Sequence, residues 1–205
     1  TLPMSRSLLQ HLPTTPQECR QRGWKSVDIV LVSGDAYIDH PSFGVALIGR
    51  LLEHHGFRVA ILAQPRHDSA IDFQRFGKPH LFFGITAGNL DSIVANYTGN
   101  GKVRDTDAYS TDGNPWWPGE KSKANRKRPD RASIVYANLA REAYREVPIV
   151  LGGVEASLRR FIHYDYKQKR LRNSVLTDAK ADILTYGMAE KTILTLAYRL
   201  QQNQE

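Results

Sequence analysis

Short, uninterrupted apolar runs alternate along this chain with stretches in which apolar side chains recur every three or four positions. Val27 to Val32 is the first such run. Its β-branched character and lack of polar alternation predict a strand buried on both faces of a parallel sheet. Gly34 ends it, and an acidic, aromatic and polar loop follows from Asp35 to Gly44. Pro41 suits the first turn of a helix, where its missing N–H costs nothing. Val45, Ile48, Leu52 and His55 then repeat at helical spacing. Gly56 is a C-terminal stop, and Phe57 to Leu62 is the next apolar run. Together these stretches predict a β-α-β unit.

The same alternation continues. Gln64 to Asp68 reads as a turn leading into a short helix, Ser69 to Phe76, which Gly77-Lys78-Pro79 breaks. His80 to Gly88 is a third strand ending in small residues. Asn89 or Asp91 can cap a helix to Tyr97, with Leu90, Ile93 and Val94 turned inward. Asp130 caps a helix from Arg131 to Glu146. Pro148 to Leu151 is a fourth strand ending in Gly152-Gly153, Ala181 to Gly187 a fifth, and Glu190 to Leu200 its helix. Strands alternating with helices predict an α/β fold: a doubly wound, mainly parallel sheet of about five strands with helices on both faces, Rossmann-like. An N-terminal arm (1–23) with a short helix from Pro16 to Arg22 precedes the domain (24–200), and a polar tail (201–205) follows it.

Residues 98–130 break the pattern. Glycines and prolines are too frequent there for regular structure, and a loop of such length in a compact domain is usually functional or disordered. Trp116-Trp117 precede a basic run from Lys121 to Arg131, and a second basic-aromatic stretch runs from Leu158 to Arg172. Aromatics beside cations can grip single-stranded RNA by stacking and phosphate contact. The alternative for the first stretch is a solvated lid with its tryptophans tucked against the domain.

Composition narrows the classes. No apolar run of the 205 residues reaches membrane-spanning length, and no signal peptide is evident, so the expectation is a cytoplasmic protein without membrane contact. Cys19 is the one cysteine, which excludes an internal disulfide and a cysteine cage for zinc or iron–sulfur. The net charge of +7 leans towards anionic partners. The chain starts at Thr1, which suggests processing or an excerpt of something longer.

In open parallel sheets, ligands bind outside the carboxyl ends of the strands. Candidate binding residues therefore gather at four strand ends: Asp35, Asp39, His40, Ser42 and Gly44; Gly84, Thr86 and Gly88; Gly152, Gly153, Glu155 and Ser157; and Gly187. The polar groups could orient ligand atoms, and the glycines allow close backbone approach. The alternative for Asp39, His40 and Ser42 is helix capping. Glu155 with Arg159 or Arg160 is a candidate pair across a domain interface.

Several of these stretches, Ser33 to Gly44, Gly77 to Asn89, Lys127 to Ala132, Gly152 to Arg160, His163 to Tyr166 and Asp178 to Asp182, occur in an order that resembles the N-terminal domain of YgiQ-type radical SAM proteins. The resemblance covers nearly the whole chain. It implies a cobalamin-binding-like Rossmann domain preceding a radical SAM barrel, whose CxxxCxxC motif holds a [4Fe-4S] cluster that cleaves S-adenosylmethionine. The cysteine triad is absent here, so the barrel would be a downstream domain or a split partner chain, and this chain a fragment or split gene product without catalytic residues of its own. Gly152-Gly153 matches the Gly-Gly of cobalamin domains. The expected Asp-x-His-x-x-Gly places histidine one residue later than His40, which argues against His40 as a cobalt ligand. The resemblance thus implies an accessory domain that binds a small-molecule substrate or a corrinoid-like cofactor. An RNA-binding module and a stand-alone cobalamin binder are the alternatives.

Overall fold

The computed structural model of the chain describes residues 11–203; the start of the arm and the last two residues of the tail lie outside the described residues. At its centre is β1 (Ile29–Ser33), flanked by β2 (Val59–Ala63) on one side and β3 (Phe82–Thr86) on the other. β4 (Ile149–Leu151) and β7 (Ile183–Leu184) complete a five-stranded, all-parallel sheet in the order β2-β1-β3-β4-β7. The chain winds outward from β1 to β2 and then crosses back to β3, so the direction of winding reverses between β1 and β3.

Both faces of the sheet are covered, which is why its strands read as continuous apolar runs. On one face α2 (Gly44–His54) and α7 (Glu190–Gln202) pack over Ile29, Leu31, Ile61, Phe82 and Val150. On the other, α1 (Pro16–Gln21), α4 (Ala132–Ala143) and α6 (Val175–Asp178) join the single-turn helix Ile71–Gln74 over Val30, Val32, Phe83, Ile85 and Ile149. The arm is part of this body. Leu12 is fully buried, and the Ile61 N–H on the free edge of β2 donates to the Pro13 carbonyl (2.8 Å).

Local chemistry shifted several expected boundaries. Helix α2 begins at Gly44, because the preceding residues close a turn in which the Phe43 N–H donates to the His40 carbonyl (2.9 Å) and leaves Pro41 outside. The helix expected over 69–76 shrinks to Ile71–Gln74. Asp91 caps α3 (Ser92–Asn96), but Val94 faces solvent and Ala95 and Asn96 face inward. Asp130 does not cap α4. Its carboxylate instead takes hydrogen bonds from Asn96, Tyr97 and Arg126, and Arg131 occupies the cap position in a left-handed conformation (φ 53°). A short α5 (Gly153–Leu158) follows β4, and the second basic-aromatic stretch forms an antiparallel hairpin of β5 (His163–Asp165) and β6 (Arg170–Arg172). Among the described residues no helix is long and apolar enough to cross a membrane.

Candidate functional site

A cavity of about 520 Å³ opens at the carboxyl ends of β1, β3 and β4, between the N-terminal ends of α2 and α7. Its floor follows from the sheet register. Leu31, Gly84 and Val150 are lateral neighbours on adjacent strands and face α2 and α7. With glycine in the middle of that row, no side chain of the described residues fills the space between the two helices. A Cβ added at Gly84 would lie 2.6 Å from Leu31 Cδ2, so the hollow is bounded by tight packing. The size suits a small molecule.

The walls are mainly apolar: Val45, Leu47 and Ile48 from α2, Ile193 from α7, and Met188 from the loop before it. Around them stand a few polar groups, Ser42, Thr86, Asn89, Tyr109 and Thr185, with Glu190 the one charged residue in the lining among the described residues. Gly153 closes one side. Its φ of +80° is a conformation that side-chain-bearing residues avoid, and a Cβ there would run into the Thr86 hydroxyl. Glycine thus lets the start of α5 lie directly against the end of β3.

Of the expected site residues, Ser42, Gly44, Gly84, Thr86, Gly88, Gly152 and Gly153 line this cavity together, and Gly187 joins them. The others stand elsewhere. Asp39 is bound to Arg50 at the surface, which holds its carboxyl below the usual aspartate range. The exposed His40 ring lies 2.7 Å from Ser42 Oγ through Nδ1. Glu155 is buried, with its carboxylate accepting from Ser92 (N–H, 2.8 Å; Oγ, 2.5 Å) and from the Ser133 N–H (3.0 Å). That arrangement joins the starts of α3 and α4, where the helix dipoles favour negative charge. The Ser157 hydroxyl donates to the Gly153 carbonyl and accepts from the Gly187 N–H, tying α5 to the loop after β7. Arg159 pairs with Asp91 (2.7 Å) and not with Glu155.

Asp35 lies behind the cavity wall, fully buried, in a network that reading the sequence did not reveal. Arg128, from the long loop, reaches in to donate to Asp35 Oδ1 (2.5 Å) and Asp107 Oδ2 (2.8 Å). The Asn89 N–H donates to Asp35 Oδ2 (2.7 Å), so the same carboxylate fixes a residue of the cavity lining. Gln64 donates to the Gly34 carbonyl (3.0 Å) and to Ser110 Oγ (2.8 Å), and Ser110 donates to Asp107. Burial pushes the Asp35 carboxyl up from its ordinary value against the pull of Arg128. The loop is therefore strapped to the end of β1 by an internal ion-pair network. Trp116 is buried with the Arg126 guanidinium 5.3 Å from its ring centroid. Two cations of the basic run, Arg126 and Arg128, thus face the interior.

A UPF0313 protein of Thermotoga maritima is 56% identical to this chain over 191 residues, 93% of this chain and 32% of that protein. UPF0313 proteins of Vibrio vulnificus and Pseudomonas aeruginosa are each 54% identical, over 95% and 94% of this chain and 24% of each relative. The chain thus spans between about a quarter and a third of the length of these curated relatives. No solved structure matches it. The family model described as Radical SAM N-terminal matches residues 11–205. The chain belongs to the radical SAM N-terminal family.

Proposed function

We propose that this chain is an accessory domain of a radical SAM protein, and that its cavity binds a small, largely apolar substrate or cofactor and presents it to the catalytic part. The observation that carries this reading is the glycine-floored hollow at the point where the sheet's winding reverses, the place where α/β sheets hold ligands. Apolar walls with a few polar groups supply affinity by burial and orientation by hydrogen bonding.

Radical SAM chemistry needs a [4Fe-4S] cluster, and this chain's residues do not fit one. Cys19 is its one cysteine and is buried, and burial pushes the thiol up from its ordinary range, against thiolate ligation. Among the described residues no three His, Cys, Asp or Glu side chains stand together to hold a metal. Nor, among the described residues, does the cavity offer a histidine to a corrinoid cobalt, because His40 is not part of its lining. The cluster and S-adenosylmethionine would therefore belong to the catalytic part, in the same chain or a partner. A cytoplasmic setting goes with this reading, since an iron–sulfur partner and an unpaired thiol both suit a reducing compartment.

Gly44 provides the test. It lines the cavity, and among the described residues nothing stands within 4 Å of a Cβ built there. In the full-length protein, Gly44→Leu should weaken binding of Nile red, a neutral apolar dye, by tenfold or more while leaving thermal unfolding unchanged. Equal dye affinity in the two proteins would show that the cavity is not the binding site.

A further inference from the structure

The β5–β6 hairpin is built inside out. Its alternation turns Asp165 and Arg172 into ion pairs on the inner face and exposes apolar side chains on the outer one, the reverse of a hairpin whose outer face meets water. On the inner face, Asp165 is buried and paired with Arg131 (2.6 Å), and Arg172 pairs with Asp178 (2.7 Å). On the outer face, Tyr164 and Leu171 are direct cross-strand partners, and both are exposed. Just before the hairpin, Leu158, Phe161 and Ile162 are exposed as well. Arg160 connects this surface to the loop after β7, with its guanidinium 4.8 Å from the Phe161 ring centroid and 5.3 Å from that of Tyr186. Tyr186 is exposed, and so are Met188 and Val154, two residues that line the cavity. The apolar apron therefore begins at the cavity mouth and runs out along the hairpin.

We infer that this apron is the docking face for the catalytic part of the radical SAM protein, which seats on it and closes the cavity mouth. The inference rests on the accessory-domain reading above. Relatives that this chain matches are three to four times its length, so a large remainder exists for the apron to meet. An isolated domain gains nothing from an exposed run of this kind, and such patches mark interaction sites. The rim specifies the partner's complement. Arg160 and Lys169 are exposed around the apolar centre, so the docking surface should be apolar with an acidic border.

Single-stranded RNA fits the apron less well. Leu158, Ile162, Leu171 and Met188 have no ring to stack on a base, and the nearby cations Arg131, Arg159 and Arg172 are held by carboxylates. Lys167 sits against the Tyr97 ring, 3.3 Å from its centroid.

Thiol labelling of the full-length protein tests the inference. Leu171 and Ile71 are similarly exposed in this domain, at 71% and 73%, and lie on different elements, the hairpin and the single-turn helix Ile71–Gln74. Leu171→Cys and Ile71→Cys are treated with a maleimide, and the rates are read peptide by peptide by mass spectrometry. Position 171 should react at least tenfold more slowly than position 71. Equal rates overturn the inference. If protection at 171 is lost on nuclease treatment, the apron binds RNA; if it is lost on dilution from dimer to monomer, a second copy covers it. Either result overturns the inference too. The outcome is independent of the dye test, because a cavity that binds nothing leaves the labelling ratio unchanged, and an uncovered apron leaves the effect of Gly44→Leu intact.

Discussion

Arg128 is the residue whose role is most at odds with its appearance in the sequence. It stands in a run of cations that reads as a solvated surface, yet it is 1% exposed and joined to two buried carboxylates. Hydropathy cannot distinguish an arginine in water from one answering internal acids, and Asp35 is distant in sequence, so pattern gave no signal. Removing only the cation leaves Asp35 and Asp107 buried without a countercharge. Arg128→Met should therefore cost about 3–5 kcal/mol, the usual consequence of breaking a buried pair from one side. Arg128→Lys should also be destabilising, since a single ammonium cannot present the planar fork that reaches both acids. Urea unfolding of the variants checks this, and a loss below about 1 kcal/mol would mean that the network contributes little. Glu155 shows the same limit. It reads as a candidate binding residue or interface acid, but it joins two helix starts.

At the scale of elements, the strands and the helices α2, α4 and α7 were legible because burial on both sheet faces imposes long apolar periods. What failed was governed by a few polar contacts. The three-residue strands of the hairpin carry too short an alternation to read, and Asp130 was drawn from its expected cap by Asn96, Tyr97 and Arg126. Burial works to raise the Asp130 carboxyl, but hydrogen bonds from Tyr97 and Asn96 and the charges of Arg126 and Lys123 outweigh it and hold the pKa below the ordinary value. A depressed carboxyl stabilises the fold fully above the ordinary aspartate range, about pH 4, and that stability is lost as the pH falls through the folded-state value. The urea midpoint should thus fall more steeply below about pH 4 in the natural protein than in Asp130→Asn; parallel curves would rule this out. The contact between α5 and β3 makes a second element-scale prediction. Gly153→Ala combines a left-handed backbone with a clash against Thr86 and should cost on the order of 1–3 kcal/mol. Thr86→Ala in the same chain should recover part of that loss, which a double-mutant cycle would measure as coupling.

For the whole molecule, the sequence pattern was enough to place Ser42, Thr86, Gly88 and Gly152 on one rim, because parallel strands must all end on the same side. It was not enough to separate groups that line the cavity from those that brace it, because that depends on side-chain direction at each loop. The arm was legible only as an appendage, although Leu12 enters the core. The bond from the Ile61 N–H to the Pro13 carbonyl gives that arm a further consequence. β2 is an outer strand, Val-Ala-Ile-Leu-Ala, without a charge or proline to discourage a stranger. The first described residues occupy the seat that a foreign strand would take. A version shortened past Pro13 would present an open, sticky border, so the beginning of this domain guards it against fibre-like self-association.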